Sequence, residues 1–228
     1  MTGGGTGIGL ACARALMATG LHVTVMGRRE APLRAAGADA WLIGDVTAPP
    51  DLPRFDVLVN AAGVAPSAPF HRSDDALFQH AINVNLMGAV AITRAVLPGM
   101  LEAGWGRVIH IASTAALKGY AYTTAYTASK HAMLGFVRAL AQETAARGVT
   151  INAICPGFTE TDIVAESIAR ITARTGRSEA EARAELTRPN PQGRLVQPAE
   201  VAAAAMFLAS DAAAAINGAA IPVAGGEI

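Results

Sequence analysis

Residues 2–9 read Thr2-Gly3-Gly4-Gly5-Thr6-Gly7-Ile8-Gly9 and run straight into an alanine-rich helical pattern over residues 9–19. Glycines at 3, 7 and 9 let the backbone turn sharply and bring its N–H groups against a phosphate at a helix amino terminus, where partial positive charge collects. Alone, such a turn is a weak signal, because any glycine-rich loop shares its composition. Its surroundings carry the reading. Short β-branched runs at 21–26, 57–59, 107–111, 150–154 and 220–223 alternate with helical stretches at 9–19, 74–101, 125–147 and 198–209. Nearly continuous apolar runs such as Val57-Leu58-Val59 suit strands buried on two faces. The alternation predicts an α/β fold: a Rossmann-like doubly wound parallel sheet with helices on both faces, the topology to which right-handed crossovers lead.

One element is absent from the pattern. A dinucleotide turn follows a central strand, yet only Met1 precedes Thr2, so the first strand reads as missing. Five buried apolar side chains at roughly 1.5–3 kcal/mol each would rival the whole stability of a domain, about 5–15 kcal/mol. A start site set too far downstream, or a trimmed chain, is the leading reading of the gap. The segment 45–55, with Pro49, Pro50 and Pro53, predicts a loop where a crossover helix would stand.

With 228 residues and 52% hydrophobic content, the chain reads as a single domain over 1–228. Eighteen basic and eighteen acidic residues leave no basic field for nucleic acid. Small molecules are the expected partners. Cys12 and Cys155 are too few for a disulfide framework or a zinc cluster and read as buried thiols. Asp39, Asp45, Asp51 and Asp56 lack metal-ligand spacing with histidine, so no metal is expected. No apolar run reaches membrane-spanning length without Gly, Pro or charge, and the expected location is the cytoplasm.

Tyr126 and Lys130 stand four residues apart on a helical pattern and so share a face. A neighbouring ammonium is expected to lower the phenol toward working pH, which suits an acid and base in carbonyl reduction. Ser113 ends the strand pattern of 107–111, at the carboxyl edge where open α/β sheets bind ligands. Asn85 lies inside a long helical run where asparagine is a poor helix former. Arg28 and Arg29 come about twenty residues after the glycine turn, where an acid would take the ribose hydroxyls and an arginine a 2′-phosphate. NADP is thereby favoured over NAD. His110 and His131 read as structural, since no nucleophile elbow surrounds Ser113.

These residues together resemble the short-chain dehydrogenase/reductase family over nearly the whole chain. The likeness is carried by Thr2 to Gly9, Asn60-Ala61-Ala62-Gly63, Asn85, Ser113, Tyr126 to Lys130, and Pro156-Gly157. It implies a catalytic set of Asn85, Ser113, Tyr126 and Lys130, with Asn85 holding a water that relays protons to Lys130. It further implies that Gly3, Gly5, Thr6, Gly7, Ile8, Asp45, Val46, Asn60, Ala61, Gly63, Pro156, Gly157, Thr159 and Thr161 meet the cofactor. Lys130 and Tyr126 are expected at its nicotinamide ribose. Ala61 departs from the family, which more often has a second asparagine there.

Residues 158–197 resemble the family's substrate lid, with helical pieces at 163–174 and 178–186 joined at Gly176. Arg170, Arg174, Arg177, Arg183 and Arg188 are candidates for the phosphates of a thioester carrier, set against the plainer reading of a solvated charged face. Two branches are similar in the lid and tail: 3-oxoacyl-thioester reductases and 3-hydroxybutyrate dehydrogenases. The second binds a free carboxylate through a histidine and a lysine, where this chain has Ala115, Ala116, Thr123 and Thr124. An acyl-thioester substrate is therefore favoured. A cyclic ketone lined by Tyr120 and Tyr122, or a nucleotide-binding module without chemistry, are the alternatives. Apolar surface on the helices of 74–101 and 125–147 predicts a homotetramer or homodimer.

Overall fold

The computed structural model describes residues 1–228. Six strands are present: β1 (Thr24–Gly27), β2 (Ala40–Ile43), β3 (Val57–Asn60), β4 (Gly106–Ile111), β5 (Val149–Pro156) and β6 (Ala220–Val223). All pair in parallel, β1 with β2 and β3-β4-β5-β6 in order. Thr2 joins the two groups, bridging in parallel to Met26 on one side and Asn60 on the other. The Thr2 N–H donates to Val59 and its carbonyl accepts from Ala61, while the Met1 carbonyl accepts from Met26. The sheet therefore runs β2-β1-Thr2-β3-β4-β5-β6, and the chain reverses its direction of winding at Thr2. Where the sequence predicts no first strand, the structure has one bridging residue, and the glycine turn leaves the sheet from that switch point.

Eight α-helices cover the faces: α1 (Gly7–Met17), α2 (Glu30–Ala35), α3 (Asp75–Ile82), α4 (Gly88–Ala103), α5 (Thr124–Thr144), α6 (Asp162–Thr175), α7 (Glu179–Thr187) and α8 (Pro198–Ala209). Adjacent strand residues point to opposite faces, so each strand feeds two cores. Leu58, Val108 and Ile151 pack with Ile92, Val96 and Met100 of α4 and Met133 and Val137 of α5. Val25, Val59, Ile109 and Ile154 pack with Cys12 and Leu16 of α1 and Val201, Ala205 and Leu208 of α8. Cys12 and Cys155 are free, buried thiols, and burial raises them to about 12 and about 11, which keeps them unreactive.

Residues 75–103 form one 29-residue helical run long and apolar enough by composition to cross a membrane, yet its α4 part packs into the core through Ile92, Val96 and Met100. Between α3 and α4 the run widens into a π-helical turn, Asn83–Met87. The segment after β2 is irregular up to β3, in keeping with its prolines. Two elements escape the sequence pattern. The strand β2 lies at the sheet edge, half buried, with Trp41 and Ile43 exposed, so it lacks the apolar run of an inner strand. Helix α2 has six residues, too few to display a period.

A buried polar chain ties the turn to the sheet. The Thr2 hydroxyl donates to Oδ1 of the Asn60 side-chain amide and accepts from the Ala62 N–H. The Asn60 amide donates to His110 Nδ1 at 3.3 Å, so His110 carries its proton on Nε2, facing Thr93 Oγ1 at 3.4 Å. Thr93 in turn donates to the Ala89 carbonyl at 2.7 Å. Burial, with the charge of Lys130, lowers His110 to about 3. The unfolded chain thus takes up a proton near pH 6.5 that the folded chain refuses until about pH 3. Stability from this residue is complete above pH 6.5 and is lost as pH falls below it. Urea unfolding at pH 4.5 should show about 2–3 kcal/mol less stability from His110 than at pH 7. His110→Gln should flatten that difference, and an unchanged profile would mean that other groups set it.

Candidate active site

The carboxyl ends of the strands open onto two adjoining cavities, of about 700 Å³ and about 230 Å³. The larger lies over the glycine turn, which glycine alone permits. Gly3 has φ +62°, and a Cβ there would stand 3.0 Å from the Ala61 carbonyl; one at Gly9 would stand 2.1 Å from the Gly3 oxygen. Helix α1 begins at Gly7 behind a Thr6 whose side chain makes no capping bond, so its first N–H groups remain available to an anion. The turn, the helix start and the volume fit a dinucleotide.

Of the cofactor residues expected from sequence, Gly3, Gly5, Thr6, Gly7, Ile8, Arg28, Arg29, Asp45, Val46, Ala61, Gly63 and Thr161 line this larger cavity. Arg28 and Arg29 are exposed at the end of β1. The Asp45 carboxyl is held below its usual range by the Thr47 N–H and hydroxyl, with a smaller contribution from Arg28. Pro156, Gly157 and Thr159 line the smaller cavity instead. Asn60 faces neither: its side chain is consumed by Thr2 and His110 inside the sheet, so it supports the turn from beneath. That corrects its expected place against the cofactor.

The smaller cavity holds Ser113, Tyr126 and Lys130 on one wall, with Tyr120 and Phe158 nearby in edge-to-face contact at 5.8 Å. Ser113 follows β4 and caps a short 3-10 turn, its Oγ accepting from the Ala115 N–H at 3.1 Å. Tyr126 and Lys130 lie on α5, the ammonium 5.9 Å from the phenol ring centre. Lys130 Nζ donates to the Ile111 carbonyl at 2.9 Å.

The electrostatics differ from the sequence expectation. Burial raises Tyr126 above its ordinary value, and the neighbouring Ser113 hydroxyl, rather than Lys130, pulls it back. Burial also lowers Lys130 to about 8. The reason is desolvation: neither charged form is well solvated inside the wall. The phenol therefore stays protonated at neutral pH, the state a proton donor needs.

Asn85 is fully buried in the π-helical turn, a distortion common at functional sites. Its Oδ1 accepts from the Val64 N–H at 2.9 Å, and its Nδ2 donates to the Val64 carbonyl and to Ser129 Oγ. With both ends of the amide engaged, the side chain pins the Val64 loop. Ser129, which sequence reasoning missed, donates to the Tyr126 carbonyl at 2.7 Å and so joins Asn85 to the helix of the tyrosine. Its place between Tyr126 and Lys130, three residues past the tyrosine, was the available signal. His131 is exposed and donates to Thr127, as a structural residue does.

Residues 3–227 match the family described as enoyl-(acyl carrier protein) reductase. The chain belongs to the short-chain dehydrogenase/reductase family. Among its relatives in this family, an acetoacetyl-CoA reductase of Shinella zoogloeoides is 36% identical, with 100% of this chain and 96% of the relative covered. A D-beta-hydroxybutyrate dehydrogenase of Cupriavidus necator is 36% identical over 96% of this chain and 93% of its own length. The crystal structure of an actinorhodin polyketide ketoreductase with NADPH superposes with a TM-score of 0.92 at 37% identity, covering 99% of this chain and 95% of that one. Short-chain dehydrogenases/reductases are NAD(P)-dependent oxidoreductases acting on CH–OH groups, and the two cavities give this chain the room for that chemistry.

Proposed function

We propose that this chain is an NADPH-preferring reductase of 3-oxoacyl thioesters. The observation that carries the reading is the wall of Ser113, Tyr126 and Lys130 in a small cavity that opens onto the dinucleotide cleft. Reduction of a ketone needs a hydride at carbon and a proton at oxygen. A dinucleotide held by Gly3, Gly5, Thr6, Gly7 and Ile8 would supply the hydride. Tyr126 gives the proton, Ser113 holds the carbonyl oxygen, and Lys130 supports both from behind the phenol. Catalysis then rests on donors already aimed at the oxygen where negative charge develops. Asn85 acts as a positioning residue for the Val64 loop and, through Ser129, for Tyr126. Pro156, Gly157, Thr159 and Thr161 would meet the nicotinamide end. Residues 158–197 serve as the substrate lid of a single domain.

Two features favour the thioester over a free 3-hydroxy acid. Ala115 and Thr123 line the cavity where a carboxylate-binding site would place cations, and Tyr120 and Phe158 make one end aromatic. Arg28 and Arg29, exposed at the cavity rim, favour a 2′-phosphate and hence NADPH. The reading extends to a homotetramer built on the long helices, and the expected compartment is the cytoplasm. Acetoacetyl-CoA should be reduced with NADPH at least about tenfold more efficiently than with NADH, and Arg28→Ala should shrink that ratio. No turnover with either cofactor would refute the substrate; an unchanged ratio would refute the arginine reading.

A further inference from the structure

Five lid arginines were candidates for anion contacts, and the structure separates them. Arg177 pairs with Glu185 and Arg183 with Glu160. Arg174 and Arg188 are exposed and lie outside both cavities. Arg170, two turns into α6 and half buried, is the one that lines both cavities. It makes no ion pair. Its Nη1 donates to Ser67 Oγ at 3.0 Å, which ties the lid to the loop after β3. A guanidinium has five donors in a planar fork, so most of its capacity is unspent.

The composition of the smaller cavity sharpens this. Arg170 and Lys130 are its two charged side chains, and no acid stands on its wall. Lys130 is already committed to the Ile111 carbonyl beside Tyr126. A volume of about 230 Å³ admits a short acyl group. A substrate whose ketone is held at Ser113 and Tyr126 therefore shares this small cavity with Arg170, the lining cation whose donors are largely unspent.

We infer that Arg170 recognises the C1 oxygen of a 3-oxoacyl substrate, the carbonyl of a thioester or the carboxylate of a free acid. The inference rests on the proposed reductase reading and narrows it: the enzyme selects 1,3-dicarbonyl compounds over simple ketones. Ser67 holds the guanidinium until the substrate oxygen takes up the remaining donors of the fork. Specificity of this kind comes from a polar group that is well paired by one substrate and left unpaired by its analogue.

The test compares the full chain with Arg170→Gln and Arg170→Lys, using NADPH and four ketones: acetoacetyl-CoA, the uncharged acetoacetyl-N-acetylcysteamine, acetoacetate and 2-pentanone. In Arg170→Gln, kcat/KM for the preferred 3-oxo substrate should fall by about tenfold or more, chiefly through KM, as expected for a lost charge-assisted hydrogen bond. The value for 2-pentanone and the dissociation constant of NADPH should stay within about twofold, and Arg170→Lys should recover part of the loss. A greater loss on the two thioesters names the thioester carbonyl as the ligand, and a greater loss on acetoacetate names the carboxylate. An equal loss on all four ketones, no loss, or a comparable weakening of NADPH would overturn the inference. A wild-type chain that reduces 2-pentanone but none of the 3-oxo compounds would overturn the reductase reading as well, which separates the two failures.

Discussion

Tyr126→Phe should lower kcat for ketone reduction by about a thousandfold while NADPH still binds within about twofold of the wild-type constant. The substitution removes one hydroxyl and leaves a ring of almost the same volume, so the wall keeps its packing. What disappears is the proton donor at the point where oxygen becomes negative. Lys130 cannot take over, because its ammonium is directed to the Ile111 carbonyl. Ser113 can still orient the oxygen, which accounts for residual activity. Stopped-flow reduction of acetoacetyl-CoA, read beside fluorescence titration of NADPH, would measure both quantities. Undiminished turnover would place the proton donor elsewhere, and a chain inactive before and after substitution but still binding NADPH would be a nucleotide-binding module without chemistry.

The legible part of the fold was that written in long or fully buried elements. Strands β4 and β5, buried along their whole length, announce themselves by their β-branched residues, Val108, Ile109 and Ile111 in one and Val149, Ile151 and Ile154 in the other. The lid helices were legible from their punctuation: Gly176 adopts φ +71° and ends α6, and Ser178 with Glu181 forms a capping box that starts α7. Edge strand β2 was not, because its half-exposed residues carry no two-sided signal. The switch point was hidden for another reason. A single bridging residue such as Thr2 has no periodicity, and its pairing with Met26 and Asn60 is a product of tertiary contact.

The site divides in the same way. Residue types placed by local geometry, such as the turn glycines and the Tyr126–Lys130 pair, line the two cavities. Roles that depend on surroundings did not follow from spacing. Helical proximity suggested that Lys130 lowers the Tyr126 phenol, but desolvation acts on both groups and opposes charge on either. The side chains of Asn60 and Asn85 spend their amides on the protein's own backbone and side chains, partners that spacing along the chain does not name. Hydrogen-bond capacity is finite, and only the folded structure says where it goes.

Lys130→Met tests how far function and stability pull apart at one residue. Burial lowers the folded-state lysine to about 8 from an ordinary 10.5, so at pH 7 its charge is held at a cost of about 3 kcal/mol relative to a neutral group. Methionine fills similar space without charge, although the Ile111 carbonyl loses its donor at a cost of about 1–3 kcal/mol. The variant should therefore melt no lower than the wild type at pH 7 while losing about a hundredfold or more in kcat/KM. The pH dependence supplies a second readout. Between pH 8 and 10.5 the unfolded lysine binds a proton that the folded one has shed, so the wild type gains stability from this residue as pH rises through that window. The methionine variant should lack the gain. A large drop in melting temperature at pH 7 would instead mean that Lys130 is held for the fold, through Ile111, and that its charge is not retained for the chemistry at Tyr126.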